Sequence, residues 1–340
     1  MKLPAMPDFP KGQPPFVALL ASHEVFVPRW EAPRKAAEDE LDMTKGVTLQ
    51  FEFPDPEKLL ETVCFDFNRF LKEAGIADGP VKVIVKKVEG KKFEAYTVRV
   101  EEDSVTLEGS DTEGIRRALY YLRDLIAGSP YLKKGVTERT PWLKNRISRC
   151  FFGPIKRPPF NIDELMNDID YYPEEYLNRL AHEGVNGLFL TVVFREVCDT
   201  TIRPAIPEAA QRLAKLRDTV NRCRRYGIKI FAFCIEPINW NEQQAHYNPL
   251  PEGCDILKGP GYAREQAGFE ISSFCSDSPM AQQYLYECTY SLFKAVPHLG
   301  GMITISHGER MTSCLSTIKY NGDGQIPCAK RCGRSIGLYK

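Results

Sequence analysis

The sequence predicts an α/β chain in which a small α+β domain precedes the first half of a TIM-type (β/α) barrel. Three observations carry this. Alternating segments and long amphipathic helices fill residues 47–135. After Trp142 the rhythm changes to strand, helix, strand, helix. Four such strands fit before Lys340, where a closed barrel takes about eight, so the barrel reads as truncated.

Residues 1–46 are rich in proline and charge and give no clear element. Val47 to Phe53 alternates, as a strand does. Asp55 to Ala74 spaces Leu59, Leu60, Val63, Phe67, Phe70 and Leu71 as a helix does. Strands follow at Val81–Val85, Ala95–Val100 and Ser104–Gly109. Asp111 is the N-cap of a helix to Ala127, with Leu119, Leu122 and Ile126 on one face. Together these make the α+β domain of 47–135.

The barrel half occupies 141–340. Its strands are Arg146–Phe152, Gly187–Val193, Ile228–Ile235 and Met302–Ser306. The helices between them are Pro173–Glu183, Pro207–Tyr226, with Gly227 as the C′ glycine, and Ser278–Val296. Ile228–Ile235 is apolar except for Lys229, which suits a strand buried on both faces. The last strand leads to Ser306-His307-Gly308-Glu309, which puts a carboxylate at a strand's C-terminal end, where barrels keep their chemistry.

Composition narrows the function. Lys plus Arg and Asp plus Glu balance at 45 each, so no basic field attracts nucleic acid or an anionic membrane. No apolar window is long enough to span a bilayer, and the N-terminus lacks the apolar stretch of a signal peptide. Eleven scattered cysteines fit reduced thiols in a cytoplasm better than a disulfide framework. Gly259-Pro260-Gly261 and Gly300-Gly301 lack the strand–helix setting and lysine of a phosphate loop, and no cofactor is expected. Cys314, Cys328 and Cys332, with His307, are enough ligands for a tetrahedral zinc, but the spacing is not that of a paired knuckle. The thiols are taken as free and no metal is assigned.

The order of parts resembles the family 20 glycoside hydrolases, the β-N-acetylhexosaminidase-like enzymes. The segment Glu94 to Gly109 with the helix after it is similar to the end of their small domain. Lys144-Asn145-Arg146-Ile147 falls where their barrel opens with an arginine. Leu180 to Leu190, with Asn186, echoes their second unit, and Cys223 to Pro237 their third. Ser306-His307-Gly308-Glu309 falls on their Gly-Gly-Asp-Glu. The likeness covers roughly residues 80 to 310. In the family an aspartate beside the acid/base glutamate orients the substrate acetamido group, which acts as nucleophile; here that position is Gly308. The family's His-Leu-Thr-Asp is replaced by Leu190 to Arg195, and the histidine of its third loop is absent.

The resemblance implies a hydrolase of β-linked sugars with Glu309 as general acid/base. In a partly dry cleft a carboxyl group can keep its proton near neutrality and donate it to the leaving oxygen. Glu236, at the end of the third strand, binds a sugar hydroxyl, serves as the partner acid, or caps a turn. Arg146 matches the family's sugar-binding arginine, whose fork clamps two vicinal hydroxyls, and Arg149 could take that role instead. Trp240 is a sugar-stacking platform; Trp142, before the first strand, reads more as packing. His307 shares Glu309's strand-face parity, so it contacts a sugar hydroxyl, tunes the glutamate, or is a structural histidine. His182 reads as ordinary surface or packing. The competing readings are a carbohydrate-binding or inactive barrel remnant and a truncated chain, with self-association through open barrel edges.

Overall fold

The computed structural model describes residues 15–149, 163–234, 236, 240–241, 263–266, 269–272 and 279–305. In chain order the elements are α1 (Pro15–Ala21), β1 (Glu40–Asp42), β2 (Val47–Phe51), α2 (Glu61–Glu73), β3 (Val81–Lys87), β4 (Tyr96–Val100), β5 (Ser104–Gly109), α3 (Thr112–Gly128), β6 (Tyr131–Lys133) and β7 (Gly135–Arg139). There follow β8 (Ile147–Arg149), α4 (Glu174–His182), β9 (Gly187–Thr191), α5 (Phe194–Val197), α6 (Ala209–Arg224), β10 (Lys229–Cys234), β11 (Trp240–Asn241), β12 (Ala263–Gln266), β13 (Phe269–Ser272), α7 (Pro279–Ala295) and β14 (Gly301–Thr304). The chain divides into two compact units.

The first unit comprises residues 1–148, 169–188 and 221–229. Its centre is a five-stranded sheet of order β2-β3-β5-β4-β7. β2, β3 and β5 run parallel, and β4 is antiparallel to both β5 and β7. Period-two alternation buries Val81, Val83 and Val85 on one face of β3. Helical spacing buries Ile115, Ala118, Leu119, Leu122 and Ile126 on α3 and Val63, Phe67, Phe70 and Leu71 on α2. Each fully buried Leu, Ile or Phe contributes about 1.5–3 kcal/mol of transfer free energy. Asp111 caps α3 as expected, its Oδ1 accepting the Gly114 N–H at 2.8 Å.

α2 starts six residues later than the expected Asp55, at Glu61. The Asp55 carboxylate accepts the N–H groups of Leu59 and Leu60 at 3.0 and 2.7 Å, and Lys58 adopts φ +56°. Those bonds hold a turn that competes with the first helical turn. The segments 169–188 and 221–229 belong to this unit through bonds such as Asn178 Nδ2 to Asp66 Oδ1 (2.7 Å) and Thr62 Oγ1 to Arg225 O (2.5 Å). Gly227 carries φ +70°, and a Cβ there would meet the Glu113 carboxylate, so this bend needs glycine. The irregular reading of 1–46 misses α1 and β1, the latter pairing antiparallel with β6. Trp142 is fully exposed, which corrects the expected packing role: it lies outside any strand or helix and no partner reaches it among the described residues.

The second unit comprises residues 149–168, 189–220 and 230–340. A four-stranded sheet of order β14-β10-β9-β8 follows the chain order of a barrel, with α6 between β9 and β10 and α7 between β10 and β14. β10 and β14 are parallel, with Phe231 opposite Gly301 and Cys234 opposite Thr304. The bonds Lys229 N–H to Asn186 O (3.0 Å) and Val192 N–H to Phe233 O (3.0 Å) advance together along both chains, as in a parallel pair. No closed barrel is formed among the described residues. β11, β12 and β13 make a small antiparallel sheet that sequence alternation does not announce. No helix among the described residues is long and apolar enough to cross a membrane.

Candidate active site at the carboxyl ends of the parallel strands

β9 delivers its chain through buried Leu188, Leu190 and Val192 into α5, where Phe194 is buried completely. The first turn of a helix leaves N–H groups without internal acceptors, and Val193 at the cap position has no side chain able to serve. Glu236 supplies the acceptor. It follows the end of β10, is 2% exposed, and its Oε1 takes the Phe194 N–H at 2.9 Å. One role of this carboxylate is thus to accept a backbone N–H.

The same unit holds a set of buried charges. Glu164, Arg195, Glu196, Arg203 and Arg212 are all buried. Arg212 Nη1 sits 2.6 Å from Asp163 Oδ2 and 3.5 Å from Glu196 Oε2. Burying charge is tolerated where it is paired in this way. Sequence reasoning passed over Arg195, Glu196, Arg203 and Glu164. The signal for two of them was present, since Arg195 and Glu196 follow the apolar β9 run as Glu309 follows its strand. Burial pushes the thiols of Cys234 and Cys288 and the hydroxyl of Tyr284 well above their usual ranges, and the Glu236 charge acts in the same direction on all three. The region around Glu236 is thus weakly solvated.

Arg146 lies in the first unit, immediately before β8, at the strand end away from the one where barrels keep their chemistry. Its guanidinium donates to Gly184 O (2.5 Å), Leu143 O (2.6 Å) and Glu94 Oε2 (2.5 Å), so three of its donors are already in use. These bonds tie Arg146 into the fold, where Glu94 is buried completely and requires a cation. Arg149 is the last residue of β8, described by its backbone. Trp240 opens β11, its backbone paired with Ser272. His182 stacks on the Tyr120 ring at 4.9 Å. Glu309 and His307 lie outside the described residues, as do Cys314, Cys328 and Cys332. Among the described residues, no cluster of His, Cys, Asp and Glu is arranged to hold a metal, and five cysteines are free.

No family model and no curated protein sequence matches the chain. Solved structures do. A GH138 enzyme targeting pectin rhamnogalacturonan II matches 83% of this chain and 34% of its own, with a TM-score of 0.56 at 13% identity. The Flavobacterium johnsoniae chitobiase of family GH20 matches 84% of this chain and 44% of its own (TM-score 0.49, 17% identity). The GH20 exo β-N-acetylglucosaminidase from Vibrio harveyi, in complex with N-acetylglucosamine, matches 86% and 49% (TM-score 0.48, 14% identity). The chain spans between a third and a half of the length of these proteins. Its structural neighbours are glycoside hydrolases, family 20 enzymes among them. At these identities the likeness is one of fold.

Proposed function

We propose that the chain is the catalytic portion of a hexosaminidase-like glycoside hydrolase that cleaves β-linked sugars, with Glu309 as general acid/base. The observation that carries this reading is the shared end of β10 and β14. The two strands run parallel and finish level, Cys234 opposite Thr304. Glu236 follows the first end by two residues and Glu309 the second by five. Carboxylates that follow adjacent parallel strands face one end of a sheet, which is the end barrels use for catalysis.

In this reading Glu309 protonates the leaving oxygen and His307 and Trp240 contact the sugar. Glu236 keeps the β9 loop in place from behind the cleft. Gly308 has no side chain with which to orient an acetamido group, so the sugar need not carry one. The accompanying domain reading is 1–46 as a leading segment, 47–135 as the α+β domain, and 141–340 as the barrel half, whose open edges favour self-association.

Two observations favour the second reading, a non-catalytic carbohydrate-binding remnant. Three donors of Arg146 are engaged by the fold, and the Glu236 carboxylate accepts a backbone N–H. A panel of aryl β-glycosides assayed with the purified chain separates the two. Turnover on at least one sugar supports the hydrolase. Saturable sugar binding without turnover supports the remnant, and neither binding nor turnover removes both.

A further inference from the structure

Beside Glu236, two thiols from separate elements meet. Cys198 ends the turn of α5, its N–H bonding Phe194 O at 2.8 Å, and Cys288 lies on the buried stripe of α7 with Ala281, Leu285 and Leu292. α5 packs on α7. The Cys198 Sγ donates to the Cys288 carbonyl at 3.3 Å, which brings the first sulfur against the second residue. Both residues are buried, Cys198 at 4% exposure and Cys288 at 0%. The reading of the cysteines as inert free thiols leaves this pairing unexplained.

We infer that Cys198 and Cys288 form an oxidant-driven disulfide that staples α5 to α7. The inference stands apart from any substrate assignment. A peroxide oxidises the Cys198 thiol, whose sulfur takes one peroxide oxygen to become a sulfenic acid while the other leaves as water. The Cys288 sulfur then displaces that hydroxyl as a second water, so two thiols reduce one peroxide to two waters. Oxidation starts at Cys198 because it retains 4% exposure while Cys288 is completely buried, so the peroxide reaches Cys198 first. The bond closes a loop 90 residues apart in sequence and fixes the turn that carries Arg195 and Glu196. Cys234 is the neighbouring competitor, also buried, at the end of β10.

The test treats the full chain with hydrogen peroxide, blocks remaining thiols by alkylation, and maps linked peptides by mass spectrometry. The expected product joins the Cys198 and Cys288 peptides, has lost two hydrogens, and reverts on addition of a thiol reductant. Amide exchange across 194–198 should slow by roughly tenfold in the oxidised chain. Cys198→Ser should abolish the linked peptide and Cys234→Ser should leave it. Cys198 joined to Cys234, both thiols recovered alkylated while other cysteines oxidise, or unchanged exchange in the linked chain would each overturn the inference. The mapping on the unaltered chain decides the matter even if a serine variant folds poorly.

Discussion

Asn186 and Arg146 bond each other twice. The Arg146 N–H donates to Asn186 Oδ1 at 2.7 Å, and the Asn186 N–H returns a bond to Arg146 O at 3.2 Å. The Asn186 amide also donates to Glu94 Oε1 (3.0 Å) and Lys144 O (2.8 Å), while its backbone carbonyl accepts the Lys229 N–H. One residue thus links the entries of β8, β9 and β10, and its amide hydrogen-bonds a glutamate held at φ +62°.

Asn186→Ala should therefore cost about 2–3 kcal/mol, because it leaves buried partners unsatisfied as well as removing bonds. Asn186→Asp should cost at least as much, since it places a second carboxylate against Glu94. Urea denaturation of both variants beside an exposed-site control checks this. A loss within about 0.5 kcal/mol for Asn186→Ala would show that the linkage is redundant.

Glu236 offers a cleaner separation of charge from hydrogen bonding. Glu236→Gln retains an oxygen for the Phe194 N–H and should perturb the fold little. Glu236→Ala strands that N–H in a buried place and should cost about 1–3 kcal/mol. Hydrogen exchange at the Phe194 amide reads the difference directly. If both variants protect it equally, the acceptor is not Glu236.

Acid should loosen the N-terminal segment first. Burial would raise the Glu73 carboxyl, but the Phe26 N–H at 2.8 Å and His23 at 2.6 Å outweigh it and hold it below the usual range. The hydrogen bond from Arg34, then the Ala37 N–H, hold Glu40 at about 2. Both folded values lie below the unfolded reference of about 4.3, so this stabilisation is complete above that pH and is lost as pH falls through the folded values. Pepsin cleavage within residues 22–40 should rise between about pH 4 and pH 2, ahead of cleavage in α3. Simultaneous cleavage of both regions would refute a separate acid-labile anchor.

The long elements were legible because their periodicity is strong. The α3 stripe of Leu119, Leu122 and Ile126 and its Asp111 cap fall where the pattern puts them. Short elements escaped for a physical reason: β1, β6 and β7 are held by pairing with strands distant in sequence, such as Leu41 with Leu132, which no local window contains. The same holds for charge. Arg146 carried the marks of a ligand-binding arginine, and only the fold reveals that Glu94, 52 residues earlier, claims it. The acceptor role of Glu236 depends on α5, too short to be read from periodicity.

Glu309 carries the most direct test of the proposed chemistry. Glu309→Gln keeps the side chain's size and hydrogen-bonding capacity but removes the donated proton. Activity on sugars with poor leaving groups should fall by about 10²–10⁴-fold. Activated aryl glycosides need less protonation of the departing oxygen, so the glycosylation step on them should suffer less. His307→Ala should cost less than Glu309→Gln on both, since it supports and does not donate. Comparing kcat/KM for the two substrate types in each variant isolates proton transfer from binding, because a lost binding contact lowers both alike. Equal, small losses on both types with Glu309→Gln would mean that the proton comes from another group, and the strand-end carboxylates Glu196 and Glu236 would be the next to substitute.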